Sequence, residues 1–196
     1  MMKNKNIGFG ITGSFCTFHR ILPVMEELAK ENQVYPVLSP AAREWDTRFF
    51  KASEFRAAVE GICQRGSITT VVQAEPIGPK KMFDIMVIAP CTGNTLAKLA
   101  LGITDTPVLM AAKAHLRGGR PLVLAVSTND ALGAASRNIG ELLCRRDVFF
   151  VPFAQDDPVK KPRSMVALME RIPETLEKAL EGEQIQPIIS PGPSLR

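Results

Sequence analysis

The stretch IMVIAPCTGNT, residues 85–95, identifies the fold class because it joins a buried strand to a helix through a short polar loop. Its first five residues are nearly all apolar, which is typical of a strand buried on both faces of a parallel sheet. The run ends at Pro90, and a helix is predicted to begin near Thr95 with leucines on its inner side. A strand, a polar turn and a helix in this order are the repeating unit of an α/β protein.

The same unit recurs on both sides of this stretch. Short apolar runs predict further strands at residues 7–12, 34–38, 108–111, 122–126 and 148–151. Longer segments predict helices at about 17–32, 41–63, 136–144 and 162–181, the last of them broken near Pro173. This alternation predicts an α/β fold: a single-domain, doubly wound (Rossmann-like, flavodoxin-like), mostly parallel sheet with helices on both faces. Residues 1–181 are expected to form the domain, and the proline-containing residues 182–196 a loosely ordered C-terminal arm.

Composition and charge exclude several classes of function. The 196 residues carry a formal net charge of +4, and basic residues occur as scattered pairs such as Lys80-Lys81. Nucleic-acid binding requires clustered cations, so no nucleic-acid partner is expected. No apolar stretch has the length of a membrane span and no signal-peptide core follows the polar N-terminus, so a cytoplasmic protein without a membrane partner is predicted. The four cysteines lack C-x-x-C spacing, so no metal site is expected.

A first glycine-rich segment matches the dinucleotide pattern G-x-G-x-x-G only in its letters. Gly8 and Gly10 fall inside the first predicted strand, where they do not form a phosphate-binding turn. The second strand ends at Ser39, whereas a dinucleotide site has an acidic residue there to bind the ribose. We therefore do not expect a nicotinamide site of the usual kind in this chain.

The turn after the first strand is a better candidate for a phosphate site. Gly13 and Ser14 lie where a strand gives way to a helix, and backbone N–H groups at such a point favour an anion. Ser39 is expected to add a hydroxyl from the neighbouring loop. Alternatively, Ser14 and Thr17 only cap the helix.

The loop after the strand at residues 85–89 is the second candidate. Ligands of open α/β sheets bind beyond the carboxyl ends of the strands, where such loops meet. Asn94 both donates and accepts hydrogen bonds, which suits a planar heterocycle with polar edge atoms. The alternative is a capped turn without a ligand.

These two loops carry a resemblance to a known family. Pro90, Thr92, Gly93, Asn94 and Thr95 match the signature P-x-[ST]-[AG]-N-T, and residues 10–14 match G-[IV]-T-G-S. Over residues 7–151 the chain resembles the flavoprotein family of homo-oligomeric flavin-containing decarboxylases and flavin prenyltransferases. The resemblance implies a homo-oligomer that binds FMN through the following residues: Gly13, Ser14, Ser39, Pro90, Thr92, Gly93, Asn94 and Thr95.

The chain departs from the decarboxylases of that family at the catalytic histidine. The matching position holds Pro76, and neither His19 nor His115 replaces it, so the catalytic residues are not identified. Asn129 matches part of the family's substrate clamp, and its alternative role is an N-cap or an Asx-turn.

Two cations complete the predicted substrate site. Lys113 and Arg137 are candidates to pair with substrate carboxylates through charge-assisted hydrogen bonds, and the alternative for each is a solvated surface charge.

Longer stretches, among them residues 121–133 and 151–165, resemble one branch of the family. Its members are components of a two-subunit oxidoreductase that makes a pyridine dicarboxylate in the mother cell of sporulating bacteria. The resemblance implies oxidation of a dihydrodipicolinate-type intermediate of the lysine pathway, a small dicarboxylate substrate, and NADP bound by the partner, the A subunit of that enzyme. Two alternatives remain: an FMN-binding decarboxylase-like protein, and a non-catalytic, partner-stabilising subunit with a vestigial phosphate pocket.

Overall fold

A computed structural model describes residues 2–190 of the chain. Its strands are β1 (Asn6–Ile11), β2 (Gln33–Leu38), β3 (Ile85–Cys91), β4 (Leu122–Thr128), β5 (Val148–Phe150), β6 (Phe153–Ala154) and β7 (Met165–Ala167). Its α-helices are α1 (Phe18–Ala29), α2 (Pro40–Glu44), α3 (Ala52–Cys63), α4 (Val71–Ala74), α5 (Gly93–Ala100), α6 (Pro107–Leu116), α7 (Ser136–Leu143) and α8 (Ile172–Leu180). Short 3-10 helices occur at Phe15–Thr17, Glu75–Ile77 and Met169–Arg171.

Five of these strands form a parallel sheet in the order β2-β1-β3-β4-β5. The chain therefore winds outward from β1 in one direction and from β3 in the other, and a ligand crevice is expected between the carboxyl ends of β1 and β3. A short hairpin of β6 and β7 adds an antiparallel extension, in which β7 pairs with the last two residues of β4. The predicted α/β fold with a mostly parallel sheet is confirmed.

The core lies on both faces of the sheet. Successive side chains of a strand point to opposite faces, and every residue of β3 is buried, so both faces are covered. Helix α1 packs against α8, and α6 packs against α4 and α5. Several helices begin at a hydroxyl cap: Ser39, Thr70, Thr92 and Thr106 each accept a hydrogen bond from a backbone N–H of the following turn.

One predicted strand is wrong: residues 108–111 belong to helix α6. Thr106 caps this helix and Pro107 occupies its first turn, a favourable start for a helix. Its residues are buried on nearly every side, so the polar face that reveals an amphipathic helix is missing from the sequence.

The predicted helix at 162–181 is only half right. Residues 172–180 form α8, but Met165–Ala167 form strand β7 and Met169–Arg171 a 3-10 helix. Pro173 lies in the first turn of α8 and does not divide a longer helix. At this position proline is tolerated because its missing N–H has no partner within the helix anyway.

The expected loose arm is packed against the domain up to Ser190. The Gln184 side chain accepts from the Phe150 N–H (2.7 Å) and donates to its carbonyl (2.8 Å), so it extends the hydrogen bonding of β5. Ile185 is buried, and Phe153 exchanges backbone hydrogen bonds with Ile188 and Ser190. The rest of the predicted arm, 191–196, lies outside the described residues.

Candidate functional site

A cleft of about 830 Å³ opens at the carboxyl ends of the parallel strands. This volume lies within the usual range for small-molecule and cofactor sites, roughly 300–1,000 Å³. Three of its walls follow β1, β3 and β4, and a fourth is the loop between β6 and β7. The lining residues used below are Gly13, Ser14, Cys16, Arg48, Thr92, Gly93, Asn94, Ser127, Asn129, Asp130, Asn138, Asp156, Lys161 and Ser164.

Thr12 fixes the first two walls to one another. Its buried hydroxyl donates to the Pro90 carbonyl (2.7 Å) and accepts from the Thr92 N–H (3.1 Å). One side chain directly after β1 thus bonds both to the end of β3 and to the loop that follows it, which connects the first two walls of the cleft. Thr12 was not predicted from sequence, although it lies inside the matched G-[IV]-T-G-S motif.

Ser14 joins the third wall. Its hydroxyl lies 2.6 Å from that of Ser127, which is buried at the end of β4. Neither Ser14 nor Thr17 caps a helix with its side chain, so the capping alternative is not what the structure contains. The Thr17 hydroxyl instead donates to the Ser14 carbonyl (2.8 Å), which holds the turn at the edge of the cleft.

The loop after β3 is both a capped turn and a wall of the cleft. The Thr92 hydroxyl accepts from the Thr95 N–H (3.2 Å) and lies 3.0 Å from the Thr95 hydroxyl. Amides in the first turn of a helix have no intrahelical partner, so the N–H groups of Gly93 and Asn94 are left for another acceptor. A Cβ on Gly93 would lie 2.8 Å from the Thr128 hydroxyl, so a side chain at this position would be crowded by the end of β4.

Three predicted cofactor residues support the cleft without lining it. Ser39 is buried and its hydroxyl accepts from the Ala42 N–H (3.3 Å), so it caps α2. Pro90 is buried within β3 and contributes its carbonyl to Thr12. Thr95 is buried beneath Thr92.

The structure separates the predicted substrate residues. Asn129 lines the cleft, and the turn that follows is formed by Asp130, whose carboxylate accepts from the Ala134 N–H (3.0 Å). Lys113 is exposed near the end of α6, beside the amino end of β4 and so at the opposite end of the sheet. Arg137 is exposed on α7 and is not part of the lining, although its neighbour Asn138 is.

The two cations that do line the cleft, Arg48 and Lys161, were not predicted from sequence. The Arg48 guanidinium lies over the ring of Phe49, with its central carbon 4.8 Å from the ring centroid. Lys161 pairs with Asp156 across 3.2 Å. Neither cation directly follows a parallel strand, so a search at strand ends does not find them. For Lys161 the available signal was the stretch 151–165, which carried the resemblance, whereas Arg48 lies outside the stretches quoted for it.

The Asp156 carboxylate interacts with its neighbours in the loop between β6 and β7. Partial burial by itself raises the pKa of a carboxyl group, but hydrogen bonds from Ser164 and Lys161, with the positive charge of Lys161, outweigh it. The net effect is a pKa below the ordinary value for aspartate. Ser164 is buried, whereas the Lys161 side chain is 58% exposed.

The two cysteines nearest the cleft differ in exposure. Cys91 is fully buried in β3, and burial raises the pKa of its thiol, whereas Cys16 is exposed at the cleft. No group of three or more histidine, cysteine, aspartate or glutamate side chains is positioned to hold a metal ion among residues 2–190. Over the same residues, no helix combines the length and apolar character needed to cross a bilayer.

Comparison with known proteins gives a match over nearly the whole chain. The B subunit of dipicolinate synthase from Bacillus subtilis (strain 168) is 50% identical over 189 residues, which are 96% of this chain and 94% of the relative. The crystal structure of the dipicolinate synthase B subunit from Bacillus halodurans C superposes with a TM-score of 0.89 at 46% identity, covering 96% of this chain and 97% of that one. These matches agree with the branch indicated by the sequence.

A more distant structure shares the fold. The dodecameric FMN-dependent UbiX-like decarboxylase from Escherichia coli O157:H7 has a TM-score of 0.61 at 24% identity, covering 75% of this chain and 79% of that one. The profile of the family described as Flavoprotein matches residues 1–144. The chain therefore belongs to the Flavoprotein family, in the branch that includes the B subunits of dipicolinate synthase.

Proposed function

We propose that this chain is a subunit of dipicolinate synthase and takes part in oxidising a dihydrodipicolinate-type intermediate to dipicolinate during sporulation. The 50% identity to the Bacillus subtilis relative over 96% of the chain carries this proposal. The reaction removes two hydrogens from a ring that becomes aromatic, so it needs a hydride acceptor and a site that holds a small dicarboxylate. The cleft at the carboxyl ends of β1, β3 and β4 is the proposed contribution of this chain.

FMN is the proposed ligand of the cleft. The fit rests on the cleft volume of about 830 Å³, on the unused N–H groups of Gly93 and Asn94, and on the hydroxyl groups of Ser14 and Thr92 at its walls. When bound, FMN supplies reversible hydride uptake, while the protein supplies binding and orientation. Asn94, with a donor and an acceptor on one side chain, is suited to the polar edge of the ring. The fold shared with an FMN-dependent decarboxylase supports the same assignment.

NADP is proposed to bind to the partner, the A subunit of the synthase. In this chain Gly8 and Gly10 are closed off by packing, since a Cβ on Gly8 would lie 2.4 Å from the Phe83 ring and one on Gly10 3.0 Å from Val108. Ser39 caps α2 and does not replace the acidic ribose ligand. Homo-oligomerisation is proposed by analogy with the dodecameric relative, and the mother-cell cytoplasm is the proposed location.

An independent decarboxylase is the weaker candidate. Neither histidine of the chain lines the cleft, because His19 is exposed on α1 and His115 is buried in α6. Pro76, at the position of the family's histidine, lies in a 3-10 helix outside the cleft lining. The cleft therefore has no imidazole to move a proton or hold a substrate in the family's manner.

Reconstitution of the two-subunit enzyme tests the function. The chain is co-expressed with the A subunit, and dipicolinate formation from freshly prepared precursor and NADP is compared with that of the A subunit on its own. The expected result is a gain of activity together with FMN released from the purified complex on denaturation. Equal activity with and without the chain would reject the catalytic role and favour the partner-stabilising alternative.

Asn94→Ala tests the cofactor site. Loss of the amide is expected to weaken FMN binding roughly 10-fold, as for a hydrogen bond of about 1.4 kcal/mol. Fluorescence titration with FMN measures the dissociation constant. Asn6→Ala is the control because it removes the same amide at the start of β1, at the opposite end of the sheet and outside the cleft lining. Equal losses of FMN affinity in the two variants would contradict a specific role of Asn94, and of the loop after β3, in binding FMN.

A further inference from the structure

The cleft has a charged wall that the FMN assignment does not use. It is the β6–β7 loop, and three of its side chains, Asp156, Lys161 and Ser164, belong to the lining. The Lys161 ammonium lies 3.2 Å from an Asp156 carboxylate oxygen, and the lysine side chain remains 58% exposed. An ammonium has three N–H donors, so its contact with Asp156 leaves donors for a second acceptor in the cleft.

The loop is anchored where a substrate would meet β4. Strand β7 begins at Met165, paired with Thr128, and Val166 pairs with Ser127. The Leu132 N–H donates to the Arg163 carbonyl (3.0 Å), which ties the loop to the segment that carries Asn129. Within the loop, the Lys161 N–H donates to the Asp157 carbonyl (2.8 Å). Lys161 is therefore presented from an ordered loop beside the end of β4.

The two cations of the lining come from opposite flanks. Arg48 follows β2 and α2 at one edge of the sheet, whereas Lys161 lies between β6 and β7 at the other. The walls built by Gly13, Ser14 and Thr92 lie between them. The four charged residues of the lining, Arg48, Asp130, Asp156 and Lys161, sum to zero, so recognition of an anion depends on a local cation and not on the overall charge of the cleft.

We infer that Lys161 binds a carboxylate group of the substrate, with Asp156 as the residue that positions its ammonium. The inference rests on the proposed function, and it assigns to Lys161 the carboxylate recognition predicted from sequence for Lys113 and Arg137. Charge-assisted hydrogen bonds of this kind are the strong class, and a carboxylate on a pyridine-type ring is a planar acceptor that an ammonium reaches from the rim. Removal of Lys161 leaves the lining with a net negative charge, which adds repulsion to the lost hydrogen bond.

Dipicolinate binding to the two-subunit complex tests the inference by isothermal titration calorimetry. Lys161→Ala is expected to raise the dissociation constant roughly 10- to 100-fold, the usual effect of losing a hydrogen bond to a charged group. Lys161→Arg, which keeps the charge, is expected to retain most of the affinity. Lys160→Ala is the matched control: it is the neighbouring lysine, it is exposed and outside the cleft lining, and it is expected to leave binding unchanged.

Two further readouts separate a substrate role from other roles. Lys161→Ala is expected to raise KM for the precursor and to leave FMN affinity unchanged; a loss of FMN affinity instead would assign the ammonium to the cofactor phosphate. The inference would be overturned if Lys161→Ala left dipicolinate binding unchanged, or if the loss of affinity appeared in Arg48→Ala instead. It would also be overturned if the unsubstituted complex bound no measurable dipicolinate. A complex that forms no dipicolinate would reject the proposed function itself, whichever residue governs binding.

Discussion

Gly8 and Gly10 show how a motif can be present in letters and absent in function. Both lie in β1 and are fully paired with β2 and β3. An added Cβ at Gly8 would meet the Phe83 ring at 2.4 Å, and one at Gly10 would meet Val108 at 3.0 Å. The absence of side chains at the two glycines therefore allows Phe83 and Val108 to pack closely against the sheet. The prediction that the glycines form no phosphate turn agrees with their position within β1.

Gly8→Ala is expected to destabilise the protein by about 2–3 kcal/mol, because a methyl group has no space beside a buried aromatic ring. Chemical unfolding monitored by circular dichroism measures the change. Gly140→Ala is the matched control, since no atom lies within 4 Å of its added Cβ in α7, and alanine there is expected to stabilise by about 0.5–1 kcal/mol. Similar effects of the two substitutions would contradict the packing explanation.

At the scale of elements, prediction from sequence succeeded where burial and periodicity agree. Strand β3 and its loop were identified because an apolar run ends in polar residues at a sheet edge. Helix α6 was missed because helices are recognised by a polar face, and this one is covered on nearly all sides. The signal that identifies it is local: Thr106 and Pro107 are a favourable cap and first residue.

The β6–β7 hairpin was also missed, and with it the fourth wall of the cleft. Strands of two and three residues are too short to show an alternating pattern, and their pairing with β4 depends on residues far apart in sequence. The place of a charged residue of this hairpin in the cleft therefore follows from three-dimensional contacts and not from hydrophobic periodicity. This explains why Lys161, which lines the cleft, was not among the predicted residues, whereas Lys113 and Arg137, which do not line it, were.

His115 makes the packing of α6 on β4 sensitive to acid. Its Nε2 lies 2.9 Å from the Pro121 carbonyl, while Nδ1 is buried without a partner among the described residues. Burial lowers the pKa of the imidazole to about 4. Between this value and the ordinary value near 6.5, the unfolded chain binds a proton that the folded chain does not, so stability falls as the pH falls through this window.

The expected loss is about 3 kcal/mol between pH 7 and pH 4, from the size of the pKa change. Urea unfolding at several pH values in this range measures it. His115→Gln keeps an N–H donor for the Pro121 carbonyl but has no group that titrates in this range. The variant is therefore expected to lose about 3 kcal/mol less stability than the unsubstituted protein between pH 7 and pH 4. The same slope in both proteins would assign the pH dependence to other groups.

At the scale of the whole molecule, the sheet order determines the site. The order β2-β1-β3-β4 places the loops after β1, β3 and β4 side by side, although their residues are far apart in sequence. Hydrogen bonds of Thr12 and Ser14 then join these loops across the strands. The carboxyl edge of the sheet and the loops after β1 and β3 could be located from sequence. The hydrogen bonds that join these loops could not, because they depend on side chains from separate parts of the chain.

A ligand bound between these loops is expected to stabilise the entire fold. FMN at 100 times its dissociation constant contributes about 2.7 kcal/mol, which for a domain of this size raises the melting temperature by roughly 5–10 °C. Differential scanning fluorimetry with FMN, and with riboflavin as the ligand that lacks the phosphate, measures the effect. A riboflavin shift equal to that of FMN would argue against a phosphate-binding role for the loops.

The cross-link at Thr12 makes this linkage testable within the chain itself. Thr12→Val removes the hydrogen bonds to the Pro90 carbonyl and from the Thr92 N–H, so it is expected to lower both the melting temperature and the shift produced by FMN. Thr175→Val is the control, because its equally buried hydroxyl donates to the Arg171 carbonyl (2.7 Å) in α8, away from the cleft. Both variants are expected to melt earlier, but only Thr12→Val is expected to lose part of the FMN shift. Equal FMN-induced shifts in the two variants would show that FMN binding does not depend on the link between the loops after β1 and β3.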